Sequence, residues 1–151
     1  MKKVRSKAFV CWLFALSFVF LSACMGGSSV LTKPEYIKEV ITRKSSFDDI
    51  LDNFLDQVDT YNGTEDAKQR LDEKGEKAIE FVNTLKNDLK DKVPSECKEH
   101  YENMMKAYAT YLEGIAIYRE NLPKDLSEER NEAIRSAEQK LHDAREAMMN
   151  L

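Results

Sequence analysis

Cys97, His100 and His142 are the side chains of this sequence best suited by type to hold a metal ion. A thiolate and two imidazoles suit Zn or Cu. Glu96 and Asp143 stand next to Cys97 and His142 as further donors. Cys97 and His100 are three positions apart, which places them on one face of a helix. If the segment carrying His142 runs antiparallel to the one that begins near Cys97, its last turns come alongside and the three converge. The plainer reading is a half-buried helix face, because the spacing matches no standard zinc pattern. Di-iron bundle sites need Glu-x-x-His on two helices. Here the residues three before His100 and His142 are Cys97 and Gln139. No Cys-x-x-Cys-His is present for covalent haem attachment.

Tyr101, Met104, Tyr108, Tyr111 and Tyr118 form a second constellation. Tyrosine joins a large apolar ring to a hydroxyl that wants a partner, and methionine makes an adaptable wall. Together they are candidates to line a pocket for a hydrophobic ligand or peptide. The same stripe is also the ordinary core of a helical bundle. Catalysis has little to draw on. The sequence holds two histidines, no Gly-x-Ser-x-Gly and no glycine-rich phosphate loop. The acidic runs Asp48-Asp49, Asp52, Asp56, Asp59 and Asp72-Glu73, Glu76, Glu80 recur at helical spacing and read as solvated faces. They lack the glycine-centred loop of a calcium-binding EF-hand. The expectation is a protein that is not an enzyme and carries no cofactor.

Four segments must position these residues. Pro34, Gly63, Pro94 and Pro123 divide the chain into stretches 34–62, 64–93, 95–122 and 124–151. Each is long enough for a helix of about 26–28 residues, near 40 Å at 1.5 Å per residue. None alternates with period two, so strands are not expected. In the first, Ile37, Lys44, Leu51 and Val58 interleave with Val40, Phe47, Phe54 and Tyr61, and Ile41, Ile50 and Leu55 widen the stripe. Lys44-Ser45-Ser46 is its expected weak point. In the second, Thr64 is the expected N-cap, Leu71, Ala78 and Leu85 repeat by seven, and Lys74-Gly75-Glu76 interrupts the pattern.

The third segment has Ser95 as its expected cap. Cys97, Tyr101, Met104, Tyr108, Tyr111, Ile115, Tyr118 and Leu122 then follow in steps of four and three. The fourth starts at Asp125 or Ser127 and carries Ile134, Ala137, Leu141, Ala144 and Met148. Its two alanines permit a close helix approach. Short connections favour antiparallel neighbours. The expected fold is all-α, an antiparallel up-down four-helix bundle over residues 34–151. The alternative is a three-helix bundle with a frayed or kinked first helix.

The first 33 residues are different. Lys2, Lys3, Arg5 and Lys7 precede a 14-residue apolar run from Ala8 to Leu21. That run is short for a membrane span of about 20 residues and has the form of a secretory signal peptide. Leu21-Ser22-Ala23-Cys24 resembles the lipobox of bacterial lipoproteins, and Met25-Gly26-Gly27-Ser28-Ser29 is similar to the tether that follows one. The resemblance implies that residues 1–23 are removed. It also implies that Cys24 carries a thioether-linked diacylglycerol and an N-acyl chain, and that residues 24–33 tether the body to a membrane. Two acyl chains give stable anchoring where one gives marginal binding. Extended, Met25 to Lys33 reaches about 30 Å at roughly 3.3 Å per residue. Met25 is not the Asp that tends to hold Gram-negative lipoproteins at the inner membrane. The expected location is the outer face of the cytoplasmic membrane; the alternative is the outer membrane of a Gram-negative cell.

Residues 24–151 contain 19 basic and 27 acidic side chains, a net charge of −8. That balance argues against nucleic acid, whose phosphates need a basic face. With Cys24 lipidated, Cys97 is the one thiol left in that part of the chain, so no internal disulfide is expected. Val93-Pro94-Ser95-Glu96, His100, Ala107-Tyr108 and Tyr111-Leu112 resemble a pattern in small helical lipoproteins of Gram-positive bacteria, most of which have no assigned activity. No residue role follows from that likeness. The sequence therefore leads to a membrane-tethered interaction or structural module whose partner is an envelope protein or cell-wall polymer. The alternatives are a carrier or sensor of a small hydrophobic ligand, or of a metal.

Overall fold

A computed structural model describes residues 29–151. The expected leader, Leu21-Ser22-Ala23-Cys24 and residues 24–28 of the expected tether lie outside the described residues. Four long helices follow in order: α1 (Lys33–Asp59), α2 (Glu65–Leu89), α3 (Lys98–Asn121) and α4 (Glu128–Met149), with a 3-10 turn at Ser95–Cys97 leading into α3. Among the described residues there is no strand, and no helix is long and apolar enough to cross a membrane. The protein is an all-α, up-down four-helix bundle.

Cross-links fix the antiparallel order. Near one end, Arg43 of α1 bonds Asp88 of α2 at 3.1 Å. Near the other, Arg70 of α2 reaches Gln57 of α1 at 3.3 Å. Arg119, late in α3, grips Asp72 and Glu76, early in α2, at 3.1 and 2.6 Å. Lys140 of α4 meets Glu113 of α3 at 2.6 Å. Close backbone approaches run between consecutive helices and are most extensive between α3 and α4.

Local chemistry explains the helix ends. Thr32 and Glu35 form a reciprocal capping box at the start of α1, with the Thr32 N–H donating to Glu35 Oε2 at 2.8 Å. The sequence reading placed no cap there. Thr64 caps α2 as expected, accepting from the Ala67 N–H at 3.2 Å. Ser127 rather than Asp125 caps α4, accepting from the Arg130 N–H. Ser95 does not cap α3; it opens the 3-10 turn, and the α-helix begins only at Lys98. Gly63, with φ +79°, supplies the left-handed residue that turns the chain into α2.

Both expected weak points are helical throughout. Around Ser45-Ser46, hydroxyls bond back to carbonyls four residues earlier, Ser46 to Thr42 and Thr42 to Lys38. The α1 helix runs unbroken across them. Gly75 sits inside α2 because a Cβ there would collide with the Arg119 side chain. The apparent interruption in α2 is thus a groove for a cross-linking arginine.

The core follows the third segment closely. Met104, Tyr108 and Ile115 are fully enclosed, and Cys97, Tyr111 and Tyr118 nearly so. From α1 come Tyr36, Val40, Phe47, Leu51 and Phe54, and from α2 Leu71, Ala78, Leu85 and Leu89. Two α1 expectations need correction. Ile37 and Ile41, assigned to the inner stripe, are exposed, while Tyr36, which that stripe left out, is buried. The closest approaches of α4 are to α3, and the flank of α1 that carries the two isoleucines is open.

Candidate functional site

The tyrosine stripe of α3 faces inward and meets aromatic rings from α1 and α2. Phe47 stands edge-on to Tyr108 with centroids 4.8 Å apart and tilts against Tyr111 at 5.2 Å. Phe81 of α2 completes the group, 5.7 Å from Phe47 and 6.4 Å from Tyr108. One helical repeat further on, Phe54 meets Tyr118 at 6.1 Å. These are edge-to-face and tilted arrangements, which the ring quadrupole favours. Tyr101, nearer the end, is half-buried and donates a long bond to the Lys86 carbonyl.

Burial shapes the chemistry of these phenols. It pushes Tyr118 up to about 12, with Glu138 and Asp59 adding repulsion. It raises Tyr108 further, assisted by Asp48 and Tyr111. Tyr111 is also raised by burial, with Arg145 opposing. The Tyr108 hydroxyl is buried and meets no hydrogen-bond partner among the described residues. A group of this kind carries the desolvation cost of a polar atom and gains nothing in return.

The metal-type residues occupy three different settings. Cys97 is a buried free thiol in the core, at the turn into α3. His100 is half-buried, and its Nδ1 lies 2.9 Å from the Tyr36 hydroxyl, with the two rings edge to face at 5.6 Å. His142 is exposed on α4 and faces Glu146 at 3.7 Å. Among the described residues, no three His, Cys, Asp or Glu side chains come close enough together to hold a metal ion. Cys97, His100 and His142 are therefore not gathered into one cluster. Antiparallel packing does bring the end of α4 to the start of α3, but it turns His142 outward while Met148 faces the core.

Tyr36 is the member of this end that sequence reasoning missed. Burial raises its phenol to about 12, with Cys97 and Tyr101 contributing. A signal was available: Tyr36 lies four before Val40 and eleven before Phe47, on the face that the heptad implies. Ile37 and Ile41, each one position beyond Tyr36 and Val40, draw the stripe too far along.

The same end of the bundle receives the chain that precedes α1. The Leu31 N–H donates to the Lys92 carbonyl at 2.8 Å, pinning the approach to α1 against the α2–α3 turn. Comparison with protein-family models, with curated proteins and with solved structures finds no match.

Proposed function

We propose that this chain is a lipid-anchored protein of the bacterial cell envelope, held at the outer face of the cytoplasmic membrane through Cys24 and acting as a non-catalytic interaction or structural module. The observation that carries the reading is Leu21-Ser22-Ala23-Cys24 after a basic and then apolar leader, seven residues ahead of the backbone bond that pins Leu31 to the bundle. An anchor this close holds the helical body at the membrane surface. A weak binding face held there acts at high effective concentration toward envelope proteins or cell-wall polymer.

The packing of α3 favours this reading over a carrier. Met104, Tyr108, Tyr111 and Tyr118 are 0–4% exposed. A ligand entering among them must displace side chains that hold the bundle together.

Fractionation and mass spectrometry of the chain in its native membrane test the anchor, with Cys24→Ala as the control. The expected product begins at a lipid-modified Cys24, and the alanine form escapes that processing. An unmodified amino terminus upstream of position 24, or a fully released product, overturns the proposal.

A further inference from the structure

Exposed apolar side chains concentrate where the tether joins the bundle. Val30, Ile37 and Ile41 are 60%, 44% and 64% exposed. Pro34, Ile37 and Ile41 lie along one strip of α1, edged by Lys33, Lys38 and Thr42, and make a shallow apolar surface. Charge divides α1 at the same place. Residues 33–44 hold Lys33, Lys38, Arg43 and Lys44 against Glu35 and Glu39, a net +2. Residues 45–59 hold five acidic side chains and no basic one. An apolar strip edged by lysines is the pattern of a helix face that settles into the headgroup and acyl boundary.

Chain length keeps this end of the bundle near the surface in an anchored molecule. From Cys24 to Leu31 there are seven residue steps, at most about 25 Å at roughly 3.3–3.6 Å per residue. The bond from Leu31 to Lys92 fixes which end of the bundle faces the anchor. We infer that the first three turns of α1, through Pro34, Ile37, Ile41 and the flanking Lys33 and Lys38, dock on the anionic lipid surface that holds Cys24. This rests on the lipid-anchor reading. The net −8 of the mature chain opposes lying flat, but the field falls off within a Debye length of about 8–10 Å. The basic turns of α1 therefore face the anionic surface, and the acidic far end projects away. Anchor and strip together set an orientation, which a flexible tether alone does not.

Tryptophan fluorescence tests the docking, since the sequence has one Trp, Trp12, inside the leader. Ile41→Trp and Leu126→Trp are made in the lipidated chain; Leu126 is an exposed residue at the far end. Each is reconstituted in phosphatidylglycerol vesicles with brominated acyl chains. Ile41→Trp is expected to lose about half its emission or more, as for a side chain at the acyl boundary, with Leu126→Trp unaffected. Equal quenching at both positions, or none at position 41, overturns the docking. So does a dimer in sedimentation that shields Ile41→Trp before vesicles are added, because a second copy then covers the strip. Mass spectrometry of Cys24 on the same samples separates the failures. Lipid present with no quenching sinks only the docking; lipid absent sinks the anchor with it.

Discussion

The two sides of α3 are filled by opposite means. Toward α4 the contact is made by small residues: Ala107 and Gly114 on α3, Ala137 and Ala144 on α4, all buried. A Cβ on Gly114 would lie 2.8 Å from Leu141 Cδ2 and 3.2 Å from the Ala137 carbonyl oxygen. The helices have approached until backbone meets side chain. Toward α1 the gap is wide and filled with rings, Phe47 and Phe54 against Tyr108, Tyr111 and Tyr118. Side-chain volume thus sets helix separation on each side. One interface holds by closeness, which tolerates no added atoms. The other holds by bulk, which fails when a ring is removed.

High pH is expected to have the largest effect, and it acts on the bulky side. Tyr36 and Tyr118 are raised from 10.0 to about 12. A group whose folded-state value is raised contributes stability in full below its unfolded value and loses it as pH rises through the folded one. These phenols should therefore add no pH dependence below about pH 10, and the bundle should unfold as pH climbs toward 12. Far-UV circular dichroism recorded with tyrosinate absorbance checks this. Full phenol ionisation with helicity intact would break the comparison.

Core substitutions come next. Phe47→Ala removes the ring shared by Phe81, Tyr108 and Tyr111 and is expected to cost about 3–5 kcal/mol. Gly114→Val overfills the tight interface and is expected to cost about 1–3 kcal/mol. Leu141→Ala should recover part of the loss in the Gly114→Val background and none of it in the Phe47→Ala background. Urea titration of the four proteins decides it; recovery in both backgrounds would mean that the two sides of α3 are coupled.

The smallest effect sharpens the picture inside the aromatic side. Tyr36→Phe breaks the bond to His100 and is expected to cost about 1 kcal/mol. Tyr108→Phe removes a hydroxyl with no partner and is expected to be neutral or stabilising. Thermal melts of the pair measure the difference. Equal losses would mean that Tyr108 has a partner such as a buried water.

The helix count, the antiparallel order and most of the core could be read from amino-acid order, because period and punctuation are local properties. Leu71, Ala78 and Leu85 needed only their sevenfold spacing to be placed inside. The candidate sites were less open to that reading. Bringing Cys97, His100 and His142 together depends on which turns of α3 and α4 come level. Which way each side chain points depends on helix rotation, a quantity that spacing leaves free within tens of degrees.

The order of residues was enough to specify four amphipathic helices and a basic, apolar, cysteine-ended leader ahead of them, since both rest on composition and periodicity along a single stretch. Packing settled the rest. It gave Gly75 to Arg119 and Gly114 to Leu141, and it left Ile37 and Ile41 uncovered. Each of those outcomes depends on which neighbour arrives at a face, and a neighbour is a property of the assembled bundle.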